Sequence, residues 1–284
     1  MAVLLDGITY GLQLALLAVG LTMIYGLGGV LNLAHGQFAV VTGISAAVLL
    51  DRGLGLPLAL VGGVALAALL ALLTDATIMR AVYRQTGEAR VLLSLLLTIG
   101  LAFVIDGLLI YNYPFTQLNV RVPGPAIDVL GVPMRRASLA ASALALVALV
   151  MLIVFLRYTR QGKAVRSIIE DEEGARLCGI DPGRVRTAVF GLSGALAGLA
   201  AVAEGMTSSV GAAEGTELTI LALIVTVVGG LGSVAGALLA GLLLGVIYTL
   251  SQVYIGAYVT FIILLLAAMV TILIRPSGLL GRGA

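Results

Sequence analysis

The sequence predicts an all-α fold: a polytopic bundle of membrane-spanning helices, several of them broken by glycine. Three observations predict it. Of 284 residues, 61% are hydrophobic and only 11% charged, whereas charged residues make up about 25% of a soluble domain. The apolar residues fall in long charge-poor runs, and many of the 37 glycines lie inside those runs. A net charge of +2 is too small for a nucleic-acid binder, and the apolar excess excludes disorder.

A hydrocarbon core about 30 Å thick takes roughly 20 apolar residues per helix. Candidate spans are residues 7–27, 30–50, 56–73, 91–111, 138–156, 187–206, 218–230, 234–254 and 257–274. Glycines around 26–29 and 229–232 interrupt two of these runs, so the count is eight to ten. The N-terminus carries Asp6 and no Lys or Arg before its first apolar run, unlike a cleaved signal peptide. That run is expected to remain as a span. The whole chain, 1–284, reads as a single transmembrane domain.

Basic residues are retained on the cytoplasmic side. Seven of the sixteen lie between 157 and 186, Arg80, Arg84 and Arg90 mark a second inner loop, and Arg275 and Arg282 end the chain. Segment 112–136 is then the main external loop, although Arg121, Arg135 and Arg136 count against it. It holds Pro114, Pro123, Pro125 and Pro133, which favour extended or turn structure. Residues 127–134 alternate around a Leu130-Gly131 turn, as a small hairpin on the outer face would. The pairs Gly7/Gly11, Gly194/Gly198, Gly232/Gly236 and Gly241/Gly245 are spaced to let helices approach closely; glycine is also simply tolerated in such helices.

Loop 157–186 packs twelve of the thirty charged residues. Residues 163–172 can form a helix, residues 173–180 a short amphipathic turn stopping at Gly179, and Asp181 with Pro182 starts the next helix. Two short helices along the membrane would make a docking platform. A solvated, salt-bridged loop is the other reading.

Several segments resemble a known family. Glu173-Gly-Ala-Arg-Leu-Cys-Gly-Ile-Asp-Pro resembles the loop by which ABC importer permeases insert into a groove of their ATPase. Tyr25-Gly-Leu-Gly-Gly-Val-Leu-Asn-Leu-Ala-His-Gly-Gln-Phe38 looks like the N-x-A-H-G signature of branched-chain amino acid permeases. Val228-Gly-Gly-Leu-Gly-Ser-Val-Ala-Gly-Ala237 and Arg275-Pro-Ser-Gly-Leu-Leu-Gly-Arg282 look like later blocks of that family, and the shorter H-type subunit is the most similar. The resemblance implies an importer with a sister M-type permease, two ATP-binding subunits and a periplasmic substrate-binding protein, in the bacterial inner membrane. It implies Glu170, Asp171, Glu173, Gly174, Gly179 and Asp181 as ATPase-coupling contacts. Gly174 departs from the alanine common in the broader loop pattern, which makes a less regular helix. Urea and short-chain amide importers have similar permeases.

Glycine breaks at membrane depth are tolerated where they are buried or line a cavity, and paired breaks in two halves point to a translocation site. Asn32, His35 and Gln37 follow the first break, and Gly229 and Gly230 form the second. His35 either contacts solute or is hydrogen-bonded between helices. Asp106 lies deepest in a span, either lining the path for an ammonium or hydrated near the outer interface. Asp75 and Glu204 fall at span ends, where hydration is expected, and Glu214 and Glu217 in an external turn that receives a binding protein.

Two other functions compete. Gly191-Leu-Ser193-Gly194 matches the G-x-S-G of intramembrane serine proteases, but the one histidine, His35, is far upstream of the nucleophile it would activate. An ion-coupled secondary transporter needs intramembrane ionisable groups, and Asp106 alone is a candidate. The chain itself is not expected to be an enzyme. It has no P-loop for ATP, and one cysteine, Cys178, with one histidine provides no metal site. No cofactor is expected.

Overall fold

The computed structural model describes residues 1–129 and 131–281. Leu130 of the expected turn and Arg282 of the basic C-terminus lie outside the described residues. In chain order the elements are α1 (Ala2–Gly28), α2 (His35–Asp51) and α3 (Leu56–Thr74). A π-helical turn (Asp75–Met79) carries α3 into α4 (Arg80–Val82). After α5 (Gly87–Asn112) come β1 (Gln117–Leu118), β2 (Ile127–Val129) and β3 (Val132–Met134), then α6 (Arg136–Tyr158), α7 (Arg160–Glu170) and α8 (Glu172–Leu177). The chain continues through α9 (Pro182–Thr207), β4 (Val210–Gly211), α10 (Gly215–Gly229), α11 (Val234–Tyr254) and α12 (Ala257–Ile274). Among the described residues seven helices are long and apolar enough to cross a membrane, α3 and α4 counting as one. Two shorter apolar helices, α2 and α10, accompany them.

Glycine sets how closely the interior spans approach. α1 runs antiparallel to α11, and a Cβ at Gly11 would stand 2.8 Å from Leu242 Cα, one at Gly7 2.9 Å from Val246 Cα. Gly194 of α9 is likewise packed onto α3, where a Cβ would come within 2.6 Å of Ala71 Cβ. Such small-residue seams replace the hydrophobic drive that lipid cannot supply. Gly232 and Gly236 share no helix, because Gly232 has φ +84° in the turn before α11. The outer helices turn large side chains outward, among them Phe103 of α5, Met151 of α6 and Leu273 of α12.

The two halves follow one plan in opposite directions. A long helix (α1, α9) is followed by a non-helical segment that turns back into the bundle, then by a short helix (α2, α10). α1 ends at Gly28, with Gly29 at φ +59° as its cap. His35, at the start of α2, contacts the carbonyl of Leu17, eleven residues before that end, or about 16 Å back along α1.

Arg90 and Arg186 bind carbonyls at the C-terminal end of α1, so the loops bearing Arg80–Arg90 and 157–186 share one basic end. The N-terminus of α1 and segment 112–136 lie at the other. There β2 pairs with β3 in the register Ile127↔Met134. Upstream of the hairpin the segment inserts rather than lying on a face. β1 pairs with β4, Val120 N–H donates to Gly205 O at 2.7 Å, and Leu118 and Val120 are buried. Two extended stretches satisfy each other's backbone groups there, which burial requires.

Candidate translocation and coupling sites

The basic end carries a folded platform. Thr159 caps α7, its Oγ1 accepting from Gly162 N at 2.9 Å. Val165 and Ile168 form the buried face of this helix. A helix continuous to residue 172 is expected from the sequence, but Asp171 leaves helical geometry at φ −156° and caps α8, with Oδ1 accepting from Glu173 N at 3.0 Å. Gly174 is adapted to that cap, since a Cβ there would stand 2.5 Å from Asp171 Oδ2. Gly179, at φ +81°, ends α8 with the paired bonds Gly179 N to Arg176 O and Ile180 N to Ala175 O, a Schellman stop. Asp181 Oδ1 accepts from Gly183 N at 2.9 Å and caps α9. Of the six coupling candidates, then, Asp171, Gly174, Gly179 and Asp181 shape the platform, while Glu170 and Glu173 are exposed on it.

The platform is tied to the bundle by residues absent from that set. Glu172 binds Arg176 at 2.7 Å and Arg186 at 2.5 Å. Arg186 is 7% exposed, stands 4.8 Å over the Tyr83 ring and donates through Nε to Leu27 O at 3.2 Å. One guanidinium therefore joins α8, α9, the residue that follows α4 and the end of α1.

Asn32, His35 and Gln37 gather where the short helices meet, each at 0% exposure. Asn32 Oδ1 accepts from Ala34 N at 3.1 Å. The extended backbone before α2 is satisfied from α5: Leu31 N donates to Ser94 Oγ at 3.2 Å and Leu33 N to Thr98 Oγ1 at 2.9 Å. Gly36 N donates to Thr219 Oγ1 of α10 at 2.9 Å. A Cβ on Gly36 would collide with the Gly215 carbonyl, so the two helix N-termini cross at glycine. Gln37 Nε2 donates to Asp106 Oδ2 at 3.2 Å, so Asp106 is joined to this crossing.

His35 is held between helices. A carbonyl only accepts, so Nε2–H donates to Leu17 O at 2.9 Å and Nδ1 is left to accept from Ser193 Oγ at 3.3 Å. The folded chain thus brings together a serine and a histidine that are distant in sequence. Ser193 at 1% and His35 at 0% exposure are sealed from water and substrate. Gly229 and Gly230 do not join this cluster. They lie at the far end of α10, about 22 Å from its start, where Leu279 N and Leu280 N donate to Val228 O and Gly229 O. The counterpart of the first break is the segment between α9 and α10.

A cavity of about 810 Å³ opens between the ends of α1, α6, α9, α10 and α11 away from the platform. Asp6, Glu204, Glu214 and Glu217 line it, with Gln13 below them. Glu204 lines this cavity rather than standing in bulk solvent. Asp75, also expected to be hydrated, is 4% exposed, and Thr187 Oγ1 donates to its Oδ2 at 2.5 Å. Burial pushes the Glu214 carboxyl above the ordinary range. The Gly211 backbone opposes that shift and Glu217 adds to it. No group of three or more His, Cys, Asp or Glu that could hold a metal occurs among the described residues.

Sequence reasoning missed Ser94, Thr98, Thr219, Glu172 and Arg186. Ser94 and Thr98 carried a signal, being hydroxyls four residues apart on one face of an otherwise apolar span.

The comparisons agree with this architecture. The permease LivH of a high-affinity branched-chain amino acid system from Salmonella typhimurium is 30% identical, covering 98% of this chain and 94% of that one. BraD of Pseudomonas aeruginosa, a permease of the same kind, is 28% identical over 98% and 95%. PsaBC from Streptococcus pneumoniae, solved in complex with a Fab, shares the fold at TM-score 0.50 and 14% identity, covering 96% of this chain and 91% of that one. Neither the protease nor the secondary transporter is favoured. The family model for the permease component of branched-chain amino acid transport systems matches residues 3–274, and the chain belongs to that family.

Proposed function

We propose that this chain is one permease half of an ATP-driven importer of branched-chain or related hydrophobic amino acids in the bacterial inner membrane. The likeness to LivH and BraD along almost the whole chain is the observation that carries the reading. The basic end faces the cytoplasm by the positive-inside rule. A partner ATPase docks on α7 and α8, with Glu170, Asp171, Glu173, Gly174, Gly179 and Asp181 as contacts or as the turns that present them. Two ATPases, an M-type sister permease and a periplasmic binding protein complete the assembly. Closure of the ATPases pushes the platform, and the Glu172–Arg186 link passes the movement to α1 and α9. The crossing at Asn32, His35, Gln37 and Asp106 is the barrier between the two sides, and the glycines at 229 and 230 act as a joint at the inner end.

Co-expression with an ATPase, a sister permease and a binding protein, followed by reconstitution, tests this reading. The expected result is leucine uptake that requires ATP and the binding protein. Uptake that continues without ATP and stops when an ion gradient is collapsed contradicts it.

A further inference from the structure

We propose that the outer cavity is a subsite for a primary ammonium group, through which the permease holds the α-ammonium of its amino acid before translocation. The one buried side-chain atom of the described lining residues that lacks a partner is an acceptor. Gln13 is 3% exposed and its Oε1 has no partner. The amide orientation is fixed, because Nε2 faces the Ala203 carbonyl at 3.5 Å and Thr207 Oγ1 at 3.4 Å, and a carbonyl can only accept. A buried acceptor without a donor is costly, and Gln13 is one of the residues that line the cavity.

Above Gln13 stand Asp6, Glu204, Glu214 and Glu217 against the single lining cation Arg135. Glu204 Oε1 accepts from Ser208 Oγ at 2.6 Å. Among the described residues no Lys or Arg forms an ion pair with any of the four. Partly buried carboxylates in excess favour a cation. The carboxylates are not gathered into a metal-binding group, and the volume falls within the roughly 300–1,000 Å³ of small-molecule sites. Leu218, Leu221 and Val253 supply apolar wall. An ammonium on an aliphatic body suits such a lining, with three donors for the acceptors and hydrocarbon for the leucines.

The choice of ligand rests on the amino-acid reading above. The test uses the full chain in nanodiscs, without ATPase or binding protein, titrated by ligand-detected NMR with leucine, 3-methylbutylamine and 4-methylpentanoate. Leucine and the amine are expected to give saturable signals, and the acid, which lacks the ammonium, none. Glu204→Gln and Gln13→Met are expected to weaken binding about tenfold or more, the loss of one charge-assisted hydrogen bond. No saturable leucine signal, equal binding of 4-methylpentanoate, or unchanged affinity in folded variants overturns the proposal. If a variant fails to fold, the ligand series on the unsubstituted chain decides. Leucine binding here, with no leucine uptake by the complete transporter, leaves the subsite standing and refutes the proposed function instead.

Discussion

Ser193 Oγ lies 3.3 Å from His35 Nδ1 although 158 residues separate them in the chain. The imidazole holds α9 and α1 together around the start of α2, and this use accounts for both residues without catalysis. Ser193→Ala removes one neutral hydrogen bond and should cost about 1 kcal/mol with transport retained. His35→Ala leaves a cavity and unpaired groups and should cost about 2–5 kcal/mol. Thermal unfolding of the purified chain measures both. A serine substitution that abolishes an activity without altering stability would restore the protease reading.

The Glu172–Arg186 pair should be energetically coupled. A double-mutant cycle with Glu172→Gln and Arg186→Gln is expected to give an interaction of about 1–3 kcal/mol. In the assembled transporter Arg186→Gln should lower substrate-stimulated ATP hydrolysis and uptake together while the ATPase still co-purifies. Charge reversal at Glu170 and Glu173 should have the opposite pattern, losing co-purification while membrane insertion is kept. Measuring ATPase retention beside uptake separates the two.

Gly36→Ala places a methyl against the Gly215 carbonyl and within 2.6 Å of Thr219 N. Overpacking of a tight site costs about 1–3 kcal/mol or more, so yield and melting temperature should fall. Gly53→Ala, at a position with φ +86° and open surroundings, should cost about 1–2 kcal/mol from backbone strain alone. A Gly36→Ala protein as stable as the unsubstituted chain would show that the two helix starts do not cross as described.

Ammonium binding in the outer cavity should weaken on acidification. Burial raises the Glu214 carboxyl, so it takes up a proton at a higher pH than an ordinary glutamate, and a protonated carboxyl no longer attracts a cation. Asp6, Glu204, Glu217, Tyr10, Tyr248 and Arg135 also line the cavity, so Glu214→Gln isolates the Glu214 contribution. Affinity for 3-methylbutylamine, measured from neutral pH downward, should fall earlier in the unsubstituted chain than in the variant.

The fold class was legible because a 20-residue apolar run has few other uses. The first glycine break was legible as well, since Gly28-Gly29 cannot hide in a helix that must then turn back. Glycine content alone points to 229–232 as its counterpart, and the chain does break there, with Gly230 at φ +105°. Ala213-Glu-Gly-Thr216 echoes Ala34-His-Gly-Gln37, a likeness that marks the helix start packed against Gly36. The roles of Arg186 and Glu172 were hidden among twelve charged residues, because which charge of a loop is buried depends on the helices beneath it. The acidic cavity is hidden for a related reason: Asp6 and Gln13 lie on α1, Glu204 on α9 and Glu217 on α10, and only packing assembles them.

In the proposed assembly the platform between α6 and α9 faces the cytoplasm and is covered by a separate ATPase. Cys178, the single cysteine, is exposed at the end of α8 and reports on this without any substitution. A membrane-impermeant maleimide should leave Cys178 unmodified in right-side-out vesicles and modify it in inside-out vesicles of the chain alone, and assembly with the ATPase should slow that modification. Modification from the outside, or equal rates with and without bound ATPase, would contradict the account.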